Sequence, residues 1–62
     1  MKKPTQKEII DCIAYFADKV IYAYLNENTG GVIVNFDMED IAVEISNNEV
    51  IERAELYNLE ME

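Results

Sequence analysis

The sequence predicts an α+β fold of one domain over residues 1–62, in which an N-terminal amphipathic helix packs on a small antiparallel sheet of three strands. Apolar residues recur at helical spacing over residues 5–25, and apolar and polar residues alternate from Val32 to Ile45. A length of 62 residues allows one domain, and a 50% hydrophobic composition is typical of a folded chain. A chain of this size buries about 60% of the surface that it exposes when unfolded, so we expect a thin core.

The first predicted element is a helix over residues 5–25. Thr5 and Glu8 match the S/T-x-x-E capping box, and Pro4 suits the entry to a helix. The apolar stripe that follows has eight members: Ile9, Ile10, Ile13, Phe16, Ala17, Val20, Ile21 and Tyr24. The segment NENTGG, residues 26–31, combines Asn and Gly residues that favour turns, and we expect it to end the helix.

The alternating stretch predicts two strands, residues 32–38 and 41–45, that form a hairpin. A two-residue loop at Glu39-Asp40 would pair Val34 with Ile45, whereas a longer loop at Asp37–Asp40 keeps the same side chains on the apolar face. Glu-Asp is a poor pair for a tight type I′ turn, so we favour the longer loop.

Residues 46–62 fit two structures. As a third strand over residues 49–59, this segment would follow a turn at Ser46–Glu49. As a helix, it would begin with the same four residues as a capping box and would carry an apolar stripe of Val50, Ile51, Ala54, Tyr57 and Met61. A two-stranded hairpin alone is marginally stable, and a third strand would cover more of the wide helix face. We therefore favour the strand, with the helix as the alternative.

Charge is distributed unevenly along the chain. The net charge is −8, and residues 26–62 carry ten acidic side chains and one cation, against three acidic side chains and four cations in residues 1–25. Phosphate and anionic lipid contacts require clustered Lys or Arg, so this pattern disfavours direct binding to nucleic acid or to a membrane surface. We also see no apolar run of the roughly 18 residues that a membrane span needs.

The residue types present disfavour catalysis. The chain has no histidine and one cysteine, Cys12, so the usual general base and the commonest metal ligand are missing. Asp37, Glu39 and Asp40 lack the glycine and the spacing of a calcium loop, so we expect no cofactor and no dedicated metal site. A lone thiol in an apolar helix pattern indicates a packing role and a reducing compartment, which predicts a cytoplasmic protein.

The acidic half of the chain predicts a surface that binds a basic protein. The candidate partner-binding residues are Asp37, Glu39, Asp40, Glu44, Glu49, Glu52 and Glu55, with Tyr57 as an aromatic anchor. With a third strand in place, the outer face of the sheet would hold Asn35, Asp37, Glu44, Arg53 and Glu55. Alternate residues on a strand stand roughly 6.7 Å apart, which is the order of the phosphate spacing along a nucleic acid.

In size and composition the chain is similar to small acidic phage-encoded inhibitors and DNA mimics, a likeness that no motif carries. We therefore expect a non-enzymatic protein-interaction domain that docks on a basic nucleic-acid-binding protein. The alternative is a small self-associating structural or accessory subunit, a homodimer, whose acidic face is plain solvated surface.

Overall fold

The fold is α+β, as predicted. A computed structural model describes residues 3–19, 22–35 and 42–61. The described elements are α1 (Gln6–Ala17), β1 (Tyr22–Leu25), β2 (Val32–Asn35), β3 (Ala42–Glu44) and α2 (Asn47–Met61). The strands form an antiparallel sheet in the order β1-β2-β3.

Helix α1 begins where the capping box predicts. The Thr5 Oγ1 atom accepts a hydrogen bond from the Glu8 N–H at 3.1 Å, and the Thr5 N–H donates to Glu8 Oε1 at 2.8 Å. These bonds satisfy amide groups that the first turn of a helix otherwise leaves unpaired.

The prediction that this helix continues to residue 25 is wrong. Helix α1 ends at Ala17, and Tyr22–Leu25 forms the edge strand β1. Val20 and Ile21, which the predicted stripe includes, lie outside the described residues. The segment 26–31 is therefore a hairpin turn between β1 and β2, in which the Asn26 N–H donates to the Gly31 carbonyl at 2.8 Å. The pairing of β1 with β2 gives its backbone groups cross-strand partners, and alternate tyrosines suit a pleated strand.

The sheet register agrees with the longer of the two loops considered for the β2–β3 hairpin. Val34 lies opposite Val43, and Asn35 lies opposite Ala42. The two-residue loop would instead place Val34 opposite Ile45. The connecting residues 36–41, which include the predicted strand positions Phe36, Met38 and Ile41, lie outside the described residues.

The third predicted strand is a helix. Helix α2 starts after Ser46, whose Oγ atom accepts from the Glu49 N–H at 3.3 Å and whose carbonyl accepts from the Val50 N–H at 3.0 Å. The strand was preferred because a hairpin of two strands alone is marginally stable, but β1 already supplies the third strand of the sheet on the other side of β2. The helix alternative is the confirmed one, and of its predicted capping box the hydrogen bond to the Ser46 side chain is present.

The core lies between the two helices and one face of the sheet. Its buried residues are Cys12 and Phe16 of α1, Val32 and Val34 of β2, and Val50 and Ala54 of α2. The alternation of Val32 and Val34 places both on the helix-facing side, whereas Ile33 and Asn35 point to the opposite side. One face of the sheet is thus packed against the helices.

A polar network links α1 to α2 at Asp11. The Asp11 carboxylate accepts from Lys7 Nζ at 2.8 Å and from Asn58 Nδ2 at 2.9 Å, and Asn58 Nδ2 also donates to the Ala54 carbonyl at 2.8 Å. The hydrogen bond from Lys7, reinforced by the one from Asn58, lowers the pKa of Asp11 below its ordinary value of 3.8. The ionised carboxylate is therefore the form that stabilises the fold.

Replacing Asp11 with asparagine is expected to destabilise the domain at neutral pH, and the difference from the wild type should shrink on acidification. A carboxyl with a lowered folded-state pKa adds stability above its unfolded pKa, and this stability is lost as pH falls through the lower folded pKa. Urea unfolding of Asp11→Asn and wild type at neutral pH and below about pH 4 would measure this. Asp18→Asn removes a carboxylate at the C-terminal end of the same helix, where a negative charge is unfavourable, so it should cost nothing. A constant Asp11→Asn difference across pH would contradict the assignment.

Candidate functional site

The predicted partner-binding residues do not share one sheet face. Glu44 lies on β3, whereas Glu49, Glu52, Glu55 and Tyr57 lie on α2. Asp37, Glu39 and Asp40 lie outside the described residues. The expectation that Arg53 and Glu55 join Glu44 on the outer face of the sheet is wrong, because it depended on a third strand in place of α2.

Glu44 is held by the β1–β2 turn. Its carboxylate accepts a hydrogen bond from Thr29 Oγ1, and the Thr29 oxygen accepts from the Gly31 N–H at 3.3 Å. A Cβ atom at Gly31 would stand 2.8 Å from Glu44 Oε2, so the turn approaches the carboxylate closely at a residue without a side chain. Gly30 closes the turn with a positive φ of 77°. This backbone conformation is strained for residues with a side chain, and glycine adopts it without that strain. The exposed carboxylate of Glu44 is thereby given a defined position.

The carboxylates at the start of α2 are partly neutralised. Arg53 lies 3.5 Å from the Glu49 carboxylate and 3.9 Å from that of Glu52, and its guanidinium stands 5.9 Å from the Tyr15 ring centroid. Glu55 is exposed and forms no ion pair with any described residue. Tyr57, the predicted aromatic anchor, is half-buried on α2.

The described cations lie in the helical layer. Lys7 pairs with Asp11, Lys19 pairs with Glu60 at 3.1 Å, and Arg53 pairs with Glu49. Lys3 precedes α1. The described strands and the turn at 26–31 carry two carboxylates, Glu27 and Glu44, and no cation. The described sheet is therefore a surface of one sign of charge.

The outer face of the sheet carries two tyrosines that the apolar periodicity of residues 5–25 predicts to lie on a helix. Tyr22 is 61% exposed and Tyr24 is 39% exposed, and their ring centroids are 5.9 Å apart. The register places Tyr24, Ile33 and Glu44 in one row across the three strands, and Tyr22, Asn35 and Ala42 in the next. We call these six residues the outer sheet face. The sequence pattern that indicates strand β1, and with it this face, is the short alternation YAYL immediately before a turn-forming segment.

The chemistry offered by the described residues is limited. Burial, followed by the charge of Glu49, raises the pKa of the Cys12 thiol to about 11, so the thiol is protonated and shielded at neutral pH. A cleft of about 220 Å³ lies where the β1–β2 turn meets the starts of both helices, and it is lined by Lys3, Pro4, Ile9, Thr29, Gly30 and Asn47. Within residues 3–19, 22–35 and 42–61 no three acidic or cysteine side chains are grouped as metal ligands. Neither described helix has the length and apolar character that crossing a bilayer requires.

Comparison with known proteins gives no relative from which a role could be carried over. No protein-family model matches the chain, and neither a curated protein nor a solved structure matches it significantly. The functional argument therefore depends on the geometry and charge described above.

Proposed function

We propose that this chain is a non-enzymatic acidic interaction domain that binds a basic protein. Its most specific form is an inhibitor, of the phage-encoded or DNA-mimic kind, that occupies the nucleic-acid-binding surface of its partner. The proposed contacts are the exposed carboxylates of Glu44 and Glu55, together with Glu49, Glu52 and the acidic residues Asp37, Glu39 and Asp40 of the segment between β2 and β3.

The observation that supports this proposal is that all the described cations lie in the helical layer and none lies in the sheet. Three of the four described cations are tied to carboxylates of the helices, and the described strands with their turn hold carboxylates alone. A surface that served solubility would intersperse both signs of charge. A surface of one sign speeds association with an oppositely charged partner and suppresses binding of a similarly charged one.

We also propose a cytoplasmic location. The described residues include one cysteine, and it is buried and free. A chain whose thiol takes no part in a disulfide suits a reducing compartment, where nucleic-acid-binding proteins are available as partners.

Capture from a bacterial lysate at low salt would test the proposal. The tagged chain should retain a nucleic-acid-binding protein, identified by mass spectrometry, and duplex DNA or added salt should displace it. A variant with Glu44→Gln and Glu55→Gln should bind the purified partner about tenfold more weakly at low salt, because both side chains are exposed and neither carboxylate is paired with a described cation. Glutamine keeps an acceptor oxygen for Thr29, so the local fold is preserved.

The matched control is the pair Asp18→Asn and Glu60→Gln, which removes the same amount of charge at two carboxylates outside the proposed contacts. Equal loss of binding in both double variants would mean that net charge alone is responsible. Retention of no protein that DNA can displace would contradict the inhibitor proposal.

Self-association is the second candidate function, and one observation favours it. Leu25 of β1 is 43% exposed and Val43 of β3 is 48% exposed, although both oppose fully buried valines of β2. Apolar side chains thus remain exposed at both edges of the described sheet, where a second copy could cover them. Light scattering after gel filtration would show a dimer that Val43→Thr converts to a monomer, whereas a monomeric wild type would exclude this candidate.

A further inference from the structure

We infer that the outer sheet face is the docking surface for an extended arginine-bearing segment of the basic partner. One guanidinium would lie over the Tyr22 and Tyr24 rings, and a second cationic side chain would meet the Glu44 carboxylate. This inference rests on the proposed function, and it adds a surface and a chemical class of ligand to it.

The geometry of the outer sheet face suits an extended segment. The buried core is on the opposite side of the sheet, and the two tyrosines are 61% and 39% exposed. Neighbouring strands lie about 4.8 Å apart, so Tyr24 on β1 and Glu44 on β3, which share a row, are separated by about 10 Å. Two long cationic side chains of one segment can span that distance.

The negative charge of the outer sheet face favours a basic ligand over a nucleic acid. A pair of aromatic rings on an open sheet can stack on nucleic-acid bases, but such platforms combine the rings with cations that hold the phosphates. The described strands and the turn at 26–31 have no cation and carry Glu27 and Glu44. These carboxylates repel phosphates and attract ammonium and guanidinium groups. Arginine fits best, because its planar guanidinium both stacks on tyrosine and pairs with carboxylate.

The same charges argue against a second copy on this face. A two-fold contact through the outer sheet face would bury the Glu44 carboxylate of both copies in a partly dehydrated interface. No cation of the described strands could compensate them. Burying a carboxylate without a paired cation is destabilising, so a basic segment is the occupant that the charge favours.

Titration of the isotopically labelled full chain with octa-arginine at low salt, followed by NMR, would test the inference. We expect the amide signals of Tyr22, Tyr24, Ile33 and Glu44 to shift most. The variant Tyr22→Leu/Tyr24→Leu keeps the apolar surface but removes the ring faces, and it should bind about fivefold more weakly or worse. The matched variant Tyr22→Phe/Tyr24→Phe keeps the rings and should bind within about twofold of the wild type. Octa-lysine, with equal charge and no planar group, should bind more weakly than octa-arginine.

The outcomes separate this inference from the proposed function. One outcome is that octa-arginine binds but shifts chiefly the amide signals of α2, and that the leucine variant binds as well as the phenylalanine variant. The inference is then overturned, and the proposal of an acidic interaction domain still holds. If the peptide does not bind at low salt, both fail. If a single-stranded oligonucleotide shifts the amide signals of the same four residues and the peptide does not, the outer sheet face is a base-stacking surface. The inference is then likewise overturned. Should the double leucine variant not fold, Tyr22→Leu at the more exposed ring gives the comparison.

Discussion

Replacing Phe16 with alanine is expected to leave the chain largely unfolded in buffer. Phe16 is 6% exposed, packs among the buried side chains of β2 and α2, and meets the Tyr15 ring edge to face at 5.5 Å. Truncating a buried phenylalanine costs about 3–5 kcal/mol of unfolding free energy. A core of this size supplies about 3–5 kcal/mol in total, and the single cysteine leaves no intrachain disulfide to compensate.

Circular dichroism and urea unfolding would measure this effect. Ile10→Ala on the same helix is the matched control, because Ile10 is 57% exposed and its truncation should cost less than about 1 kcal/mol. A cooperative transition of Phe16→Ala at a urea concentration close to that of the wild type would show that the ring is not central to the core.

The Cys12 thiol is expected to react with a disulfide reagent at least about a hundredfold more slowly in the folded chain than in urea. The side chain is fully buried, so the reagent reaches it through opening of the fold, and an opening free energy of about 3 kcal/mol gives a factor of this size. Its raised pKa acts in the same direction, because the thiolate is the reacting form. Labelling of the folded chain at the unfolded rate would contradict this burial.

The same thiol makes the fold sensitive to alkali. Because the folded pKa is raised from 9.0 to about 11, the contribution of Cys12 is fully present below about pH 9 and is lost as pH rises toward 11. The loss amounts to about 2–3 kcal/mol. Urea unfolding of wild type and Cys12→Ala at several pH values isolates this contribution from the titration of tyrosine and lysine, since those groups are common to both chains. A difference between the two chains that does not change with pH would overturn the assignment.

Local signals in the sequence predicted the caps and the buried valines. The capping box at Thr5 and Glu8 involves residues three apart, so no tertiary partner is needed to form it. The alternation around Val32 and Val34 likewise determines which side of β2 is buried, because side chains of a strand alternate between its faces. The α+β class follows from these two patterns.

The secondary structure of two segments depended on contacts with residues distant in sequence. Residues 22–25 continue a helical apolar stripe, yet they form β1 because β2 offers four residues with which to pair. Residues 47–61 satisfy a strand pattern and a helix pattern alike, and they form α2 because β1 already makes the sheet three-stranded and α1 presents an apolar face to cover. Pairing partners and burial decide such cases, and neither is encoded in a local pattern.

The sequence by itself determined that the chain is strongly acidic, that residues 26–62 carry all of the excess negative charge, and that histidine chemistry is absent. The tertiary structure alone decided where the charge stands. It placed Glu44 on the sheet and Glu49, Glu52 and Glu55 on α2, and it brought Tyr22 and Tyr24 onto the outer sheet face. The physical reason is that composition sets the total charge, whereas strand order and register set which side chains become neighbours.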